Sequence, residues 1–118
     1  MESNIIAISP SSISDISAEL SAIGVSARGI ELMKEKMLFH VIKIEKVDTR
    51  AANIIKQTML SQGAEAAVSS GTINLRDSHT DVIIGATVQQ LRLGITRLKE
   101  QPWGLRAIAL ELEKQFLI

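Results

Sequence analysis

The chain has 118 residues, 13 basic and 13 acidic side chains, no cysteine and a hydrophobic content of 46%. That length and apolar content predict one ordered domain, 1–118, with a real core, and argue against disorder. Without thiols there are no disulfides, thiol nucleophiles or thiolate metal sites, and the balanced charge removes any global pull toward nucleic-acid phosphates.

No apolar run approaches the roughly 18–20 residues that span a membrane. The N-terminus lacks the basic residues and apolar h-region of a signal peptide, so a cytoplasmic protein without membrane or nucleic-acid partners is expected. Residues 4–8 are a short apolar run and read as an edge strand. Ser9 with Pro10 at the first helical position, or Ser11 or Ser12 a little later, can cap a helix. Ile13, Ile16, Leu20 and Ile23 then recur at helical spacing, and Gly24 ends it. Residues 26–33 read as a second, short helix, capped by Ser26 and weakened by Gly29. Lys34-Glu35-Lys36 is a solvated turn.

Residues 38–68 organise the chain. The period changes from 2 to 3.6 at Asp48 and a helix stops at Gly63, so a strand, a helix and a second strand follow one another closely. Val41, Ile42, Ile44 and Val47 suit a pleated surface. The nearly continuous apolar run 38–42 fits a strand covered on both faces. Asp48 can accept from the first amides of the helix, and Gly63 stands where a left-handed residue is wanted. Ala51, Ile54, Ile55, Met59 and Leu60 form the apolar stripe. Strands joined this way are expected to be parallel, with a right-handed crossover.

Past Val68, Ser69-Ser70-Gly71 is a turn signal. Residues 72–75 alternate as a short strand would, and 76–79 are a polar loop. Residues 80–86 return to a buried strand. Thr87 caps a helix with Val88, Leu91, Ile95 and Leu98 on its core face. Gly94 inside that helix costs about 1 kcal/mol relative to alanine, which points to a close packing contact. Pro102 stops the helix and Trp103-Gly104 turn the chain. Leu105, Ile108, Leu112 and Phe116 make a final amphipathic helix. The closing Phe116-Leu117-Ile118 has no polar tail, so this end is expected to be buried or cut from something longer. The fold class that results is α/β, an α+β sandwich. It has a mixed four- to five-stranded sheet, a central βαβ unit and helices packed on it, ferredoxin-like in outline.

Candidate site residues fall in three places. Arg50, Asn53 and Gln57 lie at i, i+3 and i+7 and share one helix face, which is either the wet side of a helix or a ligand or partner contact. Ser69 and Ser70 follow the second central strand, and in sheets with parallel strands ligands favour that end. No base is near them, so nucleophilic serine chemistry has little support. Gly85-Ala86-Thr87 ends a strand and opens a helix, where anions can bind, although capping alone explains Thr87. Asp77, His79 and Asp81 alternate and would point one way if extended. A solvated loop is the preferred reading, because a metal site needs a further ligand and a second shell. His40 reads as a structural histidine. The only aromatic carbocycles are Phe39, Trp103 and Phe116, which weakens the case for a stacked pterin or base. No catalytic residue, metal or cofactor is assigned.

The run from Arg50 to Val68, Arg-Ala-Ala-Asn-Ile-Ile-Lys-Gln-Thr-Met-Leu-Ser-Gln-Gly-Ala-Glu-Ala-Ala-Val, resembles the N-terminal extension that precedes the catalytic barrel in some bacterial dihydropteroate synthases, especially clostridial-type ones. The likeness extends to Gly24-Val25-Ser26-Ala27-Arg28-Gly29-Ile30-Glu31-Leu32-Met33, to Thr80-Asp81-Val82-Ile83-Ile84-Gly85-Ala86-Thr87, and to Leu98-Lys99-Glu100-Gln101-Pro102-Trp103-Gly104-Leu105. It spans roughly residues 20–110. The chain departs from it at Ser69-Ser70-Gly71, where an arginine is expected, and at Trp103, where phenylalanine is expected. The resemblance implies an association with folate biosynthesis and a partner in the synthase barrel or in a second copy of the chain. It does not imply the synthase reaction, which belongs to a TIM barrel of roughly 250 residues.

Overall fold

A computed structural model of the chain describes residues 2–117, in two compact units, Met1–Leu38 and Phe39–Ile118. In the first, α1 (Ile13–Ala22) packs on α2 (Ala27–Met33) and on a short 3-10 turn, Lys34–Lys36. Ser12 proves to be the cap of α1 and Ser26 that of α2, each hydroxyl accepting from the third amide of its helix. Ile16, Leu20 and Leu38 are buried. The expected strand at 4–8 does not form: residues 2–11 hold no regular element, and Ile5, Ile6 and Ile8 are exposed.

The second unit contains β1 (Phe39–Asp48), α3 (Thr49–Ser61), β2 (Glu65–Ala67), β3 (His79–Thr87), α4 (Val88–Leu98) and α5 (Leu105–Phe116). The sheet order is β1-β3-β2, with both pairings antiparallel. β1 and β2 therefore run the same way, as the short connections require, but they do not touch. β3 is slotted between them, giving the split βαβ of ferredoxin-like folds. β3 takes the centre because it alternates cleanly. Thr80, Val82, Ile84 and Ala86 are buried, and the residues between them are not.

Two corrections follow for the sheet. Among the described residues it has three strands rather than four or five, and it is wholly antiparallel rather than mixed. Residues 72–75 turn instead of extending, with Leu75 at φ 60. Residues 105–116, where a further strand would complete the ferredoxin-like order, are helical because Leu105, Ile108, Leu112 and Phe116 keep the 3.6 period. The helices of this unit, α3, α4 and α5, cover only one face of the sheet. Phe39 and Val41 on the other face are 59% and 72% exposed, so the start of β1 is not covered on both sides as its apolar run suggested.

The core lies between that sheet and the helices. It joins Ile42, Ala66, Val82 and Ile84 to Ala51, Ile55 and Met59 of α3, to Leu91, Ile95 and Leu98 of α4, and to Leu105, Ala109 and Leu112 of α5. Phe116 and Leu117 pack against it; Ile118 lies outside the described residues. Gly63 has φ 78 and ends α3 as expected. Gly94 sits where α3 and α4 approach: a Cβ there would meet Met59 Sδ at 2.7 Å. β1 carries a bulge between Ile44 and Val47, with Lys46 at φ 53. The Asp81 carboxylate accepts the freed Lys46 amide at 2.9 Å.

Candidate functional site

The densest polar arrangement surrounds the start of α3. Asp48 leaves β1 extended and caps the helix, its Oδ1 accepting the Arg50 amide at 2.8 Å. The Arg50 side chain folds back onto the same carboxylate. Nε donates to Oδ1 at 3.1 Å and Nη2 to Oδ2 at 2.7 Å. The Arg50 Cζ lies over the Trp103 ring, 3.9 Å from its centroid, a favourable cation–π geometry. Trp103 reaches this position with φ 64 and stays half exposed. A non-glycine residue held left-handed costs roughly 1–2 kcal/mol. The three such residues described, Lys46, Leu75 and Trp103, all adjoin this end of α3. Lys46 precedes the Asp48 cap by two residues, and Leu75 lines a shallow hollow of about 400 Å3 with Asp48, Thr49, Arg50, Asp77, Ser78 and His79.

The Asp48–Arg50 clasp sets the charge state of both groups. Chiefly the Arg50 side-chain hydrogen bonds, and after them its amide, hold the Asp48 carboxyl far below the usual carboxylate range. The same pairing raises Arg50. A depressed carboxyl contributes stability that is present above its unfolded value of about 4 and is lost as pH falls toward the folded value. The melting temperature should therefore fall more steeply between about pH 5 and pH 2 in the native chain than in Asp48→Asn. Superimposable curves would mean that the clasp contributes nothing.

Behind the clasp the loop 69–78 is tied onto α3 and β3. Ser69 Oγ donates to Asp77 Oδ2 at 2.8 Å and meets Thr72 Oγ1 at 2.8 Å, and its amide donates to Thr80 Oγ1. Asn53 Nδ2 donates to the Thr72 carbonyl at 2.9 Å. Thr49 Oγ1 donates to the Asp77 carbonyl and its amide to the Ser78 carbonyl. Thr72 is fully buried, and such a group is costly unless its hydrogen bonds are made. Gly71 makes room for the knot: a Cβ there would lie 2.5 Å from Asp77 Oδ2. Gly71→Ala is expected to push Asp77 off Ser69 and to cost about 1–3 kcal/mol in urea unfolding. Unchanged stability would show that the carboxylate does not hold the loop.

Three of the sequence-derived site residues thus gather. Asn53 and Ser69 share Thr72, and Arg50 stands at the adjoining hollow. Gln57 lies exposed further along α3. Ser70 is exposed on the loop and accepts from Arg76 Nη2 at 3.2 Å. Thr87 is at the opposite end of β3, about 26 Å from His79 at 3.3 Å per residue. It forms a capping box with Gln90. The alternating trio does not converge: Asp77 turns onto Ser69, Asp81 caps the bulge, and His79 Nδ1 lies 3.1 Å from Ser78 Oγ. Among the described residues no three His, Asp or Glu side chains group to hold a metal ion. The Ser69 hydroxyl is engaged on both sides within the loop. Sequence reasoning missed Trp103 as the partner of Arg50, 53 positions away. The one available signal was a lone tryptophan ahead of a turn glycine.

Fold and site together define, in the second unit, a two-layer α+β module with an exposed, aromatic-capped arginine beside exposed Leu75. No described helix is long and apolar enough to cross a membrane. Over 103 residues, 87% of its length, the chain is 30% identical to a probable bifunctional folylpolyglutamate synthase/dihydropteroate synthase of Halobacterium salinarum. Over 94 residues, 80% of its length, it is 29% identical to a bifunctional dihydropteroate synthase/dihydropteroate reductase of Helicobacter pylori. It spans 12% of the first relative and 25% of the second. No family model and no solved structure matches the chain.

Proposed function

We propose that this chain is an accessory interaction module of folate biosynthesis, cytoplasmic, that works beside a dihydropteroate synthase barrel and performs no chemistry of its own. Its role resembles that of the N-terminal extension of clostridial-type synthases. One observation carries the reading. The chain matches two proteins named as dihydropteroate synthases over most of its own length, while its sheet of three antiparallel strands is unlike the eight parallel strands of a barrel. The contact face in this reading is the start of α3. Arg50 and Asn53 lie there with Ser69, Ser70 and Trp103, Gln57 stands further along the same helix, and arginine and tryptophan are the residues that most often anchor interfaces. Thr87, at the far end of β3, serves its helix as a cap.

The test is calorimetric titration of a purified synthase barrel into the chain, with mass in solution measured alongside for the other partner the reading allows, a second copy. Arg50→Glu and Trp103→Ala should each weaken association at least about tenfold. A monodisperse monomer that ignores the barrel at about 100 μM would sink the docking role.

A second reading is favoured by the Helicobacter relative. The 94 matched residues are 25% of that protein, so it runs to about 380 residues, of which a barrel takes roughly 250. The matched part then has the size of the remainder, beside the dihydropteroate reductase of that protein's name. In this reading the chain binds a pterin. A ligand at about 100 times its dissociation constant adds roughly 2.7 kcal/mol of stability, so a thermal-shift series with dihydropteroate and other pterins would show it plainly. No shift with any of them would dismiss it.

A further inference from the structure

We propose that the groove between β1 and α5 binds a neutral 2-amino-4-oxo-pteridine head group, and that it rejects the pyrophosphate ester of the same head. This rests on the pterin-binding reading above and gives that reading a location away from the start of α3. The groove exists because α5 occupies the place where the ferredoxin-like order would put another strand, which leaves the outer edge of β1 without a neighbouring strand among the described residues. It encloses about 250 Å3, room for one bicyclic ring system rather than for a whole folate. Ile44, Ile108, Leu112 and Phe116 supply apolar surface. The Phe116 ring is set against His40, with 5.4 Å between centroids. An apolar groove with a few polar groups at its rim is the usual form of a small-molecule site.

The rim decides the ligand. Glu111 lines the α5 wall, and Gln115 Nε2 donates to its Oε1 at 2.7 Å, which orients the carboxylate. A 2-amino-4-oxo-pteridine carries two adjacent N–H donors on one edge, and that edge matches a carboxylate in a bidentate, charge-assisted pair. Among the described residues Lys43 is the one cation lining the groove, and its Nζ is turned to Asp81 on the open face of the sheet, 3.8 Å away. The Glu111 carboxylate, with the lysine turned to Asp81, favours a neutral donor-rich ring and opposes a pyrophosphate.

The experiment is an NMR titration of the 15N-labelled chain with three probes: dihydropteroate, hydroxymethyl-dihydropterin and the pyrophosphate ester of the latter. The first two should saturate and move the amides of residues 42–45 and 108–116, with the ester at least about tenfold weaker. Glu111→Gln, on an exposed position, should keep the melting temperature and weaken binding at least about tenfold. Ile108→Trp should fill the groove and abolish binding. Saturable binding that moves amides around Arg50 and Asn53 instead, or that survives both substitutions, overturns the groove and leaves the pterin reading standing. No saturable shift with any probe overturns both.

Discussion

Ile84→Ala is expected to lower the unfolding free energy by about 3–4 kcal/mol and the melting temperature by more than about 10 °C. Ile84 is at the middle of the central strand and is fully buried. Its neighbours across the sheet are Ile42 on β1 and Ala66 on β2, so one side is already filled by a methyl group and has nothing larger to move into the space. The cost of a truncation depends on how far the site can collapse, and a strand hydrogen-bonded on both edges collapses least. The neighbouring residue is the control. Ile83 points to the open face and is 45% exposed, so Ile83→Ala should cost less than about 1 kcal/mol. Equal losses at the two positions would mean that the open face is buried in solution.

Gly94→Ala is the second large effect, and its sign is the opposite of what helix propensity dictates. On an exposed helix the change gains about 1 kcal/mol. Here the new Cβ would lie 2.7 Å from Met59 Sδ and 3.3 Å from its Cε. Met59 is flexible, but it is fully buried in the core between α3 and α4, so any shift of the thioether must displace other core side chains. Overpacking of this kind costs about 1–3 kcal/mol, and a net loss of about 1–2 kcal/mol is expected after the propensity gain. The double mutant separates the two contributions. In a Met59→Ala background the obstacle is gone, and Gly94→Ala should become neutral or stabilising, a coupling of more than about 1 kcal/mol. A native chain stabilised by Gly94→Ala would show that the helices do not need the glycine.

The same contrast between local and distant causes separates what was legible in the residues from what was not. Asp48, Ser26 and Thr87 were readable as caps, and each caps its helix. Gly63 was readable as a left-handed stop, and Gly94 as a close contact. The core faces of α4 and of most of α3 followed from spacing alone, although Leu60 is partly exposed and Ala52, which no stripe included, is fully buried. The strand count was not legible. Thr72-Ile73-Asn74-Leu75 alternates as a strand does, yet Ser69 and Asn53 hold Thr72 inward and the segment turns. The candidate site was legible in part. Asn53 and Ser69 meet through Thr72, Arg50 stands beside them, and Gln57 and Thr87 do not join.

By itself, then, the sequence determined the helices, their caps and stops, the existence of β3 and the α+β class, but not that β3 buries one face only, with Ile83 left exposed. Those features depend on residues within about a turn or two of one another, and their causes are hydrogen bonds to nearby amides and side-chain periodicity. Only the tertiary structure decided that β3 separates β1 from β2, that α3, α4 and α5 all pack on one face of the sheet, that Trp103 covers Arg50, and that α5 leaves a groove beside β1. Each of these joins residues tens of positions apart. Such pairings are selected by how much apolar surface the whole arrangement buries and by which polar groups it leaves satisfied, and no short stretch of the chain carries that information.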